Sequence, residues 1–265
     1  MEIRLLGSVE LRLNGESVRT GPERVRRLLA LLAWQPNEFV SDDVLIDRIW
    51  DDRVPQHPRS ALYTCATRLR SVFAGVTEAG GCGGSVVRRG GGYLLTVPTE
   101  SVDLHRFRRL VRRAHEAARR SDPAEARQLL DHAVALWAEA PMADLRSGWA
   151  ERARVALERE RLAAVRERAG LGLRLGWCSG DVPSLYRLVE EHPLDEALVG
   201  LLMLALYRSG RQSEALSCYA RMRRRTVECL GDEPGASLRH LHDAVLRRDS
   251  TLVEAYSPPW LTSAA

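Results

Sequence analysis

Two arginines, three glycines and a tyrosine stand together in the stretch RRGGGYLL, from Arg88 to Leu95. Apolar residues typical of β-strands flank the glycines on both sides. A glycine run beside cationic side chains can cradle a nucleotide phosphate. It can equally form the tip of a β-hairpin that carries its arginines to a nucleic acid. The stretch is therefore compatible with two classes of protein, a nucleotide-binding enzyme and a DNA-binding protein.

A second candidate site lies in the segment RSALYTCATRLRSVF, residues 59 to 73. Its apolar residues recur at helical spacing, which predicts a helix that buries one face. That face comprises Leu62, Ala66, Leu69 and Phe73, and the opposite side carries Arg59, Tyr63, Thr67, Arg68 and Arg70. Arg68 could donate a bidentate pair to guanine, and Thr64 and Thr67 could contact thymine methyls or phosphates. The alternative is that these polar residues are simply the solvated face of an amphipathic helix. For a helix considered in isolation, this alternative is preferred over DNA binding.

The distribution of charge favours the DNA-binding interpretation. The net charge is +4, but residues 53 to 99 contain six arginines and one acid, Glu78, whereas residues 1 to 52 contain seven arginines and ten acids. A basic stretch confined to one part of a domain is typical of a polyanion site. A further helix before the segment and a hairpin after it strengthen that interpretation over a solvated face.

Several enzyme classes are excluded by composition. All 39 Lys+Arg residues are arginine. Without lysine there is no P-loop lysine, no pyridoxal phosphate Schiff base and no SxxK pair. The motifs HExxH and GxSxG are absent and the histidines are scattered, so we predict no enzyme activity, no metal and no cofactor. The five cysteines, predicted to be reduced thiols, are Cys65, Cys82, Cys178, Cys218 and Cys229.

The order of the predicted elements indicates an α+β winged helix-turn-helix domain followed by an all-α tetratricopeptide-like helical domain. Strands around Gly7 and a turn at Asn14-Gly15 precede three helices, of which Ser41 caps the second. The run Gly90 to Gly92 is predicted to form the turn of a terminal hairpin. Amphipathic helices then follow, including one over residues 123–137, and they pair at roughly one tetratricopeptide period. We predict domains at 1–98 and 102–249 and a disordered tail at 250–265.

Six motifs in a fixed order carry a family resemblance. PNEFVSDDVLIDRIW, RSALYTCATRLR and RRGGGYLL resemble the OmpR-type (phosphorelay-type) DNA-binding domain. They are followed by VDLHRFRRL, AVALWAEAPMADL and HPLDEALVGLLMLALYRSGRQSEAL. With all six motifs, the chain resembles members of the Streptomyces antibiotic regulatory protein family. These are single-chain activators that join this winged helix to a bacterial transcriptional activation domain. The resemblance covers residues 1 to about 248.

The resemblance implies specific contacts with DNA. The helix of residues 59–73 is expected to enter the major groove, where Arg68 reads a base while Thr67, Arg70 and Trp50 contact the backbone. Arg89 is expected to reach the minor groove. The full predicted DNA-binding set is Trp50, Arg59, Tyr63, Thr64, Thr67, Arg68, Arg70, Arg88 and Arg89. The predicted polymerase contact is the loop 51–57, with Asp51, Asp52 and Arg53.

The sequence departs from the family pattern at two places. Gly90-Gly91 stands where the family often has Pro-Pro, so a more mobile wing is expected. Cys65 stands where a histidine is common, which weakens any phosphate contact at that position.

The resemblance also implies a function and partners. It implies a sequence-specific activator that binds direct repeats near the promoter −35 element as a homodimer on double-stranded DNA. It would recruit RNA polymerase holoenzyme to a secondary-metabolite (antibiotic) biosynthetic cluster. The N-terminus lacks a signal-peptide pattern and no apolar run approaches ~18 residues, so we expect a cytoplasmic, nucleoid-associated protein without a membrane partner. Two alternatives stay open: a tetratricopeptide-like interaction scaffold, and a repressor that occludes the promoter.

Overall fold

The computed structural model describes residues 1–80, 83–177 and 180–254. The chain is rich in helix, and its two small antiparallel sheets lie in the first hundred residues. The strands are β1 (Glu2–Arg4), β2 (Glu10–Leu13), β3 (Glu16–Val18), β4 (Val40–Ser41), β5 (Ser85–Arg89) and β6 (Gly92–Thr96). The helices are α1 (Glu23–Trp34), α2 (Asp42–Trp50), α3 (Pro58–Glu78), α4 (Asp103–Arg119), α5 (Pro123–Val134), α6 (Gly148–Arg174), α7 (Val182–Glu191), α8 (Glu196–Arg208), α9 (Gln212–Leu230), α10 (Ala236–Leu246) and α11 (Thr251–Glu254).

The chain divides into two compact units. Unit 1 contains Met1–Arg112 and His132–Arg161, and unit 2 contains Arg113–Asp131 and the chain from Leu162 onward. The predicted domain 1–98 lies wholly within unit 1, whereas the predicted domain 102–249 contributes residues to both units. The predicted thiols of Cys82 and Cys178 lie outside the described residues.

The first sheet has the strand order β1-β2-β3. Asn14 and Gly15 form the turn between β2 and β3, and both have positive φ, +50° and +90°. Two consecutive positive φ values match the right-handed twist of the flanking strands, which is why Asn-Gly predicts a hairpin. Leu13 pairs with Glu16 across this turn, so the predicted hairpin is confirmed.

Helices α1, α2 and α3 form one apolar core. Leu28 and Leu32 of α1, Leu45 of α2, and Leu62 and Leu69 of α3 are all fully buried. The Ser41 hydroxyl accepts the Val44 N–H at 3.4 Å, as expected for the N-cap of α2. Helix α3 continues beyond the predicted end at residue 73 to Glu78, because buried Val76 extends the apolar face by one more turn.

The second sheet has the order β4-β6-β5, with the predicted hairpin formed by β5 and β6. Arg89 pairs with Gly92, so the turn itself consists of Gly90 and Gly91. Gly91 has a φ of +86°, which favours glycine. Strand β4 was not predicted, since two residues are too few to show a period of two.

Long-range bonds join the residues after β6 to the N-terminus of unit 1. The carboxylate of Asp103 accepts the N–H groups of Leu5 and Leu6 at 2.8 and 3.0 Å. It also accepts the N–H of Leu104 at 2.7 Å. Burial raises the pKa of Asp103 to about 6, against the lowering effect of these three donors.

Helix α5 ends earlier than predicted. It was expected to reach residue 137, but it ends at Val134. Beyond it, the Leu136 N–H donates to the Ala133 carbonyl oxygen and the Trp137 N–H donates to the Val134 carbonyl oxygen, as in a turn. The Trp137 ring packs edge-on against Phe107 at 5.3 Å, an apolar contact within unit 1 that a continued helix would redirect.

Helices α8 and α9 form an antiparallel pair in unit 2. Gly210, with a φ of +75°, lies in the short turn between them, and Ala215 is fully buried at the start of α9. A buried network also fixes α5 and α6 to the start of α7: the Arg127 guanidinium donates to both oxygens of Asp181, at 2.7 and 3.1 Å. Arg168 of α6 donates to the same carboxylate.

The tail was predicted to be disordered from residue 250. The structure instead has a helical turn, α11, at Thr251–Glu254. Leu252 is buried there, and the Asp249 carboxylate caps the turn by accepting the Thr251 N–H at 2.9 Å. Residues 255–265 lie outside the described part of the chain.

Candidate nucleic-acid interface

Helix α3 presents a continuous polar face to solvent. The buried side chains recur every three or four residues, which leaves the other side of the helix free of packing. Five of the predicted DNA-binding residues are exposed on that side: Arg59, Tyr63, Thr64, Thr67 and Arg68. Tyr63 is 59% exposed, so the face carries an aromatic ring as well as charge.

Arg68 and Arg59 differ in their surroundings. Arg68 forms no ion pair with any residue in the described part of the chain. Arg59 lies 3.7 Å from the Asp43 carboxylate, and both side chains are largely exposed, so water screens the pair. Both guanidinium groups therefore stay available to an external anion.

Arg70 lies at the side of α3 that faces β5. Its Nε donates to the Val86 carbonyl oxygen at 3.0 Å, and its guanidinium lies 5.6 Å from the centre of the Tyr93 ring. Part of its hydrogen-bonding capacity thus fixes α3 to the hairpin. Arg70 is half-buried, in contrast to the exposed arginines of α3.

Arg88 and Arg89 are neighbours in β5 with different environments. Arg88 donates from both terminal nitrogens to the carboxylate of Asp42, at 2.7 and 2.8 Å. This hydrogen bond raises the pKa of Arg88 above its ordinary value. Arg89 is exposed at the end of β5, beside the turn, and has no ion-pair partner among the residues described.

Trp50 was predicted to contact the DNA backbone, and its indole N–H is the donor that such a contact would use. The residue is only 3% exposed, since it ends α2 against the apolar core. Its Nε1 is enclosed and has no hydrogen-bond partner in the described residues. A backbone contact through this nitrogen therefore stays a prediction, and it would require the indole ring to leave the position that it has here.

The three predicted polymerase-contact residues are placed differently. Asp52 and Arg53 are exposed, as a contact surface requires. Asp51 has a positive φ of +47°, and its carboxylate accepts the Gly148 N–H at 3.2 Å. It also lies 3.6 Å from Arg27, so the Asp51 side chain already binds within unit 1.

Arg27 links several segments of unit 1 and was not singled out from the sequence. Its guanidinium contacts the Glu23 carboxylate in α1 and the Ile49 carbonyl oxygen at the end of α2. It also contacts the Arg146 carbonyl oxygen. Sequence reasoning missed this role because one arginine on a helix gives no signal of partners so distant in the chain.

Cys65 lies beneath the polar face of α3. It is buried, and burial raises the pKa of its thiol. A neutral thiol is only a weak hydrogen-bond donor, so the expectation of a weakened phosphate contact at this position stays a prediction.

The arginines of α4 in unit 1 are largely paired. Arg106 contacts Glu2, Arg108 donates two hydrogen bonds to Glu160, and Arg109 contacts Glu100. Within residues 1–80, 83–177 and 180–254, no group of three His, Cys, Asp or Glu side chains could hold a metal ion. No helix in those ranges is long and apolar enough to span a membrane.

Comparisons with known proteins assign the chain to a family. Residues 102–246 match the family model "Bacterial transcriptional activator domain". The Regulatory protein DnrI of Streptomyces peucetius is 36% identical over 94% of this chain and 93% of its own length. The Transcriptional regulator RedD of Streptomyces coelicolor is 36% identical over 95% of this chain and 72% of its own.

A solved structure, of Mycobacterium tuberculosis EmbR in complex with a low affinity phosphopeptide, has a TM-score of 0.85 and 29% identity. The match covers 93% of this chain and 65% of the EmbR chain. These matches define the class of the protein: it is a transcription regulator. The chain belongs to the Streptomyces antibiotic regulatory protein family.

Proposed function

We propose that this protein is a sequence-specific DNA-binding transcriptional activator. Residues 1–98 act as an OmpR-type winged helix-turn-helix domain, and residues 102–249 act as a tetratricopeptide-like activation domain. In this assignment α3 is the recognition helix and the β5–β6 hairpin is the wing. The observation that carries the proposal is the exposed face of α3, where Arg68 has no partner in the described part of the chain, beside a hairpin that exposes Arg89.

The chemistry of this face fits a DNA duplex. An α-helix fits the major groove, and an arginine fork donates to O6 and N7 of guanine. Arg68 would read one base in this way, while Arg59, Tyr63, Thr64 and Thr67 contact neighbouring base edges or phosphates. Arg89 would enter the minor groove. Arg70, held partly by Val86, would contribute its remaining donors to the backbone.

Activation follows from a second set of contacts. Two copies bind direct repeats near the −35 element, and the exposed Asp52 and Arg53 contact RNA polymerase holoenzyme. A contribution of ~1.4 kcal/mol from such a contact gives tenfold higher occupancy of a weak promoter. By membership of the family, the target is a secondary-metabolite (antibiotic) cluster. The protein is not an enzyme, needs no cofactor, and acts in the cytoplasm on the nucleoid.

The test is binding of the full chain to promoter fragments from the neighbouring gene cluster. Fluorescence anisotropy at 50 to 200 mM salt compares these fragments with random DNA. A protein that neutralises six to ten phosphates loses ~10³–10⁵ in affinity over this range. We expect a steep salt slope with specificity retained, and absence of binding at micromolar protein would reject the proposal.

Two further measurements address activation. In vitro transcription with purified holoenzyme should rise on addition of the protein, whereas a promoter-occluding repressor would lower it. A footprint should cover two adjacent repeats, as expected for two copies side by side on the DNA.

A further inference from the structure

Asp42 binds the β5–β6 hairpin through both its side chain and its backbone. Its carboxylate accepts two hydrogen bonds from Arg88, at 2.7 and 2.8 Å. Its N–H donates to the carbonyl oxygen of Gly91, in the turn of the hairpin, at 2.8 Å. Asp42 is itself only 5% exposed, so the carboxylate is held away from water. One residue at the start of α2 thus binds both the strand and the tip of the hairpin.

The Arg88 side chain is fixed from a second direction. Its guanidinium lies over the Tyr93 ring, 4.6 Å from the centroid, and Tyr93 is the cross-strand partner of Arg88 and fully buried. A planar guanidinium suits this arrangement because it can stack on a ring and donate two parallel bonds in its own plane. Successive residues of a strand face opposite sides, so Arg88 faces Tyr93 while Arg89 is directed elsewhere.

The turn that these contacts hold has no stiffness of its own. Gly90 and Gly91 contribute no side chains to packing, and an added Cβ at either would meet nothing within 4 Å. Glycine also has the greatest backbone freedom of any residue. The hairpin tip therefore depends on contacts made at its base to keep one position.

We propose that Arg88 and Asp42 form a positioning pair that holds the wing in place for Arg89, and that Arg88 is not itself a DNA contact. This inference rests on the proposed function, because a wing needs a fixed position only if Arg89 must reach DNA. The Asp42 carboxylate balances the charge of Arg88 and accepts one N–H from each of its terminal nitrogens, although 44% of the Arg88 side chain is exposed. The neighbouring Arg89 is exposed beside the turn and has no such partner among the described residues. The pair takes the place of the rigidity that Gly90-Gly91 cannot provide.

The first test needs no DNA. Hydrogen exchange at the amides of Arg89 and Gly92, the last pair of the β5–β6 ladder before the turn, is measured in the full chain and in the variants Arg88→Ala, Arg88→Lys and Asp42→Asn. Each variant should exchange faster than the wild type by a similar factor. Arg88→Lys keeps the positive charge but lacks the planar fork, so it should behave as Arg88→Ala does. If the exchange rate were unchanged in all three variants, the proposal that Arg88 and Asp42 hold the hairpin would be wrong.

The second test separates positioning from direct contact. Affinity for the promoter fragment should fall roughly 3- to 10-fold in Arg88→Ala and in Asp42→Asn, since binding must then order a loosened wing. The double variant should be no weaker than either single one. The salt slope should stay unchanged in all of them. Arg89→Ala should reduce its magnitude by about 0.9, because it removes one cation from the minor groove.

The outcomes distinguish the two proposals. A reduced salt slope for Arg88→Ala, with tighter binding by Asp42→Asn, would show that Arg88 contacts DNA and that the inference is wrong. Absence of DNA binding by the wild type would reject the proposed function, while the exchange data still decide whether the pair holds the hairpin.

Discussion

The arginines of α3 and β5 differ in what their guanidinium groups already bind. Arg88 is paired with a buried carboxylate, and Arg70 donates to a carbonyl oxygen of β5. Arg68 and Arg89 have no ion-pair partner among the described residues. A guanidinium engaged within the fold has fewer donors left for a ligand, so residue type does not by itself identify a DNA contact. On this ground we propose Arg68, rather than Arg70 or Arg88, as the base-reading residue.

Replacement of Arg68 should change specificity as well as affinity. We expect Arg68→Ala to weaken binding to the promoter by ~1–3 kcal/mol and to relax the preference at one base pair. Arg59→Ala is the matched control, since an exposed phosphate contact should weaken all sequences alike. The measurement is anisotropy on a set of single-base operator variants and on random DNA. Equal losses on specific and random DNA for Arg68→Ala would reject base reading.

At the scale of elements, sequence periodicity predicted the helices and turns that depend on neighbouring residues. It did not predict features that depend on contacts between residues far apart in the chain. The helical spacing of Leu62, Ala66 and Leu69 and the Asn14-Gly15 turn were sufficient to predict α3 and the first hairpin. Strand β4 could not be predicted, because it exists only by pairing with β6. Trp50 illustrates the same limit: a residue at a helix end can be exposed or buried, and only its tertiary neighbours decide.

The central strand of the second sheet depends on Gly92. A Cβ at this position would overlap the carbonyl oxygen of Val40 and the ring of Phe39. We therefore expect Gly92→Ala to lower the free energy of unfolding by about 1–3 kcal/mol, the usual effect of overpacking. Urea denaturation of the full chain measures this. Gly90→Ala is the matched control, since a Cβ there meets nothing within 4 Å, and an equal loss in both variants would contradict the argument.

At the scale of the whole molecule, unit 1 combines parts of the chain that are far apart in sequence. The segment 138–144 binds the residues after β1: Ala138 N–H donates to the Leu6 carbonyl, and Met142 N–H donates to the Leu5 carbonyl. Such bonds leave no periodic signal, so the sequence predicted a boundary near residue 98 without showing that His132–Arg161 belongs to the same unit.

Two charged residues of this segment, Glu139 and Asp144, add to the attachment, and Asp144 has the contact with an arginine. Its two oxygens accept the Val9 N–H, at 2.7 Å, and the Arg26 Nε–H. Asp144→Ala would leave both donors without a partner, so we expect the free energy of unfolding to fall by about 1–3 kcal/mol. Asp52→Ala, on an exposed side chain, should leave stability unchanged. Equal stability of the two variants in urea denaturation would show that the attachment contributes little.

Acid should destabilise unit 1 through His105. Its Nε2–H donates to the Ala33 carbonyl at 3.2 Å, and burial, with the nearby charges of Arg108 and Arg112, lowers its pKa below the ordinary 6.5. At His105 the unfolded chain therefore binds a proton more readily than the folded one. The contribution of the neutral imidazole to stability is fully present above pH 6.5 and is lost as the pH falls through the lower pKa of the folded state.

Replacing His105 should make the free energy of unfolding less dependent on pH below pH 6.5. Urea denaturation between pH 5 and pH 8 should show that the free energy of unfolding falls less steeply below pH 6.5 in His105→Gln than in the wild type. His240→Gln, which alters an exposed position on α10, is the control and should keep the wild-type slope. The same slope in His105→Gln would mean that other groups carry the acid sensitivity, because a glutamine cannot titrate in this range.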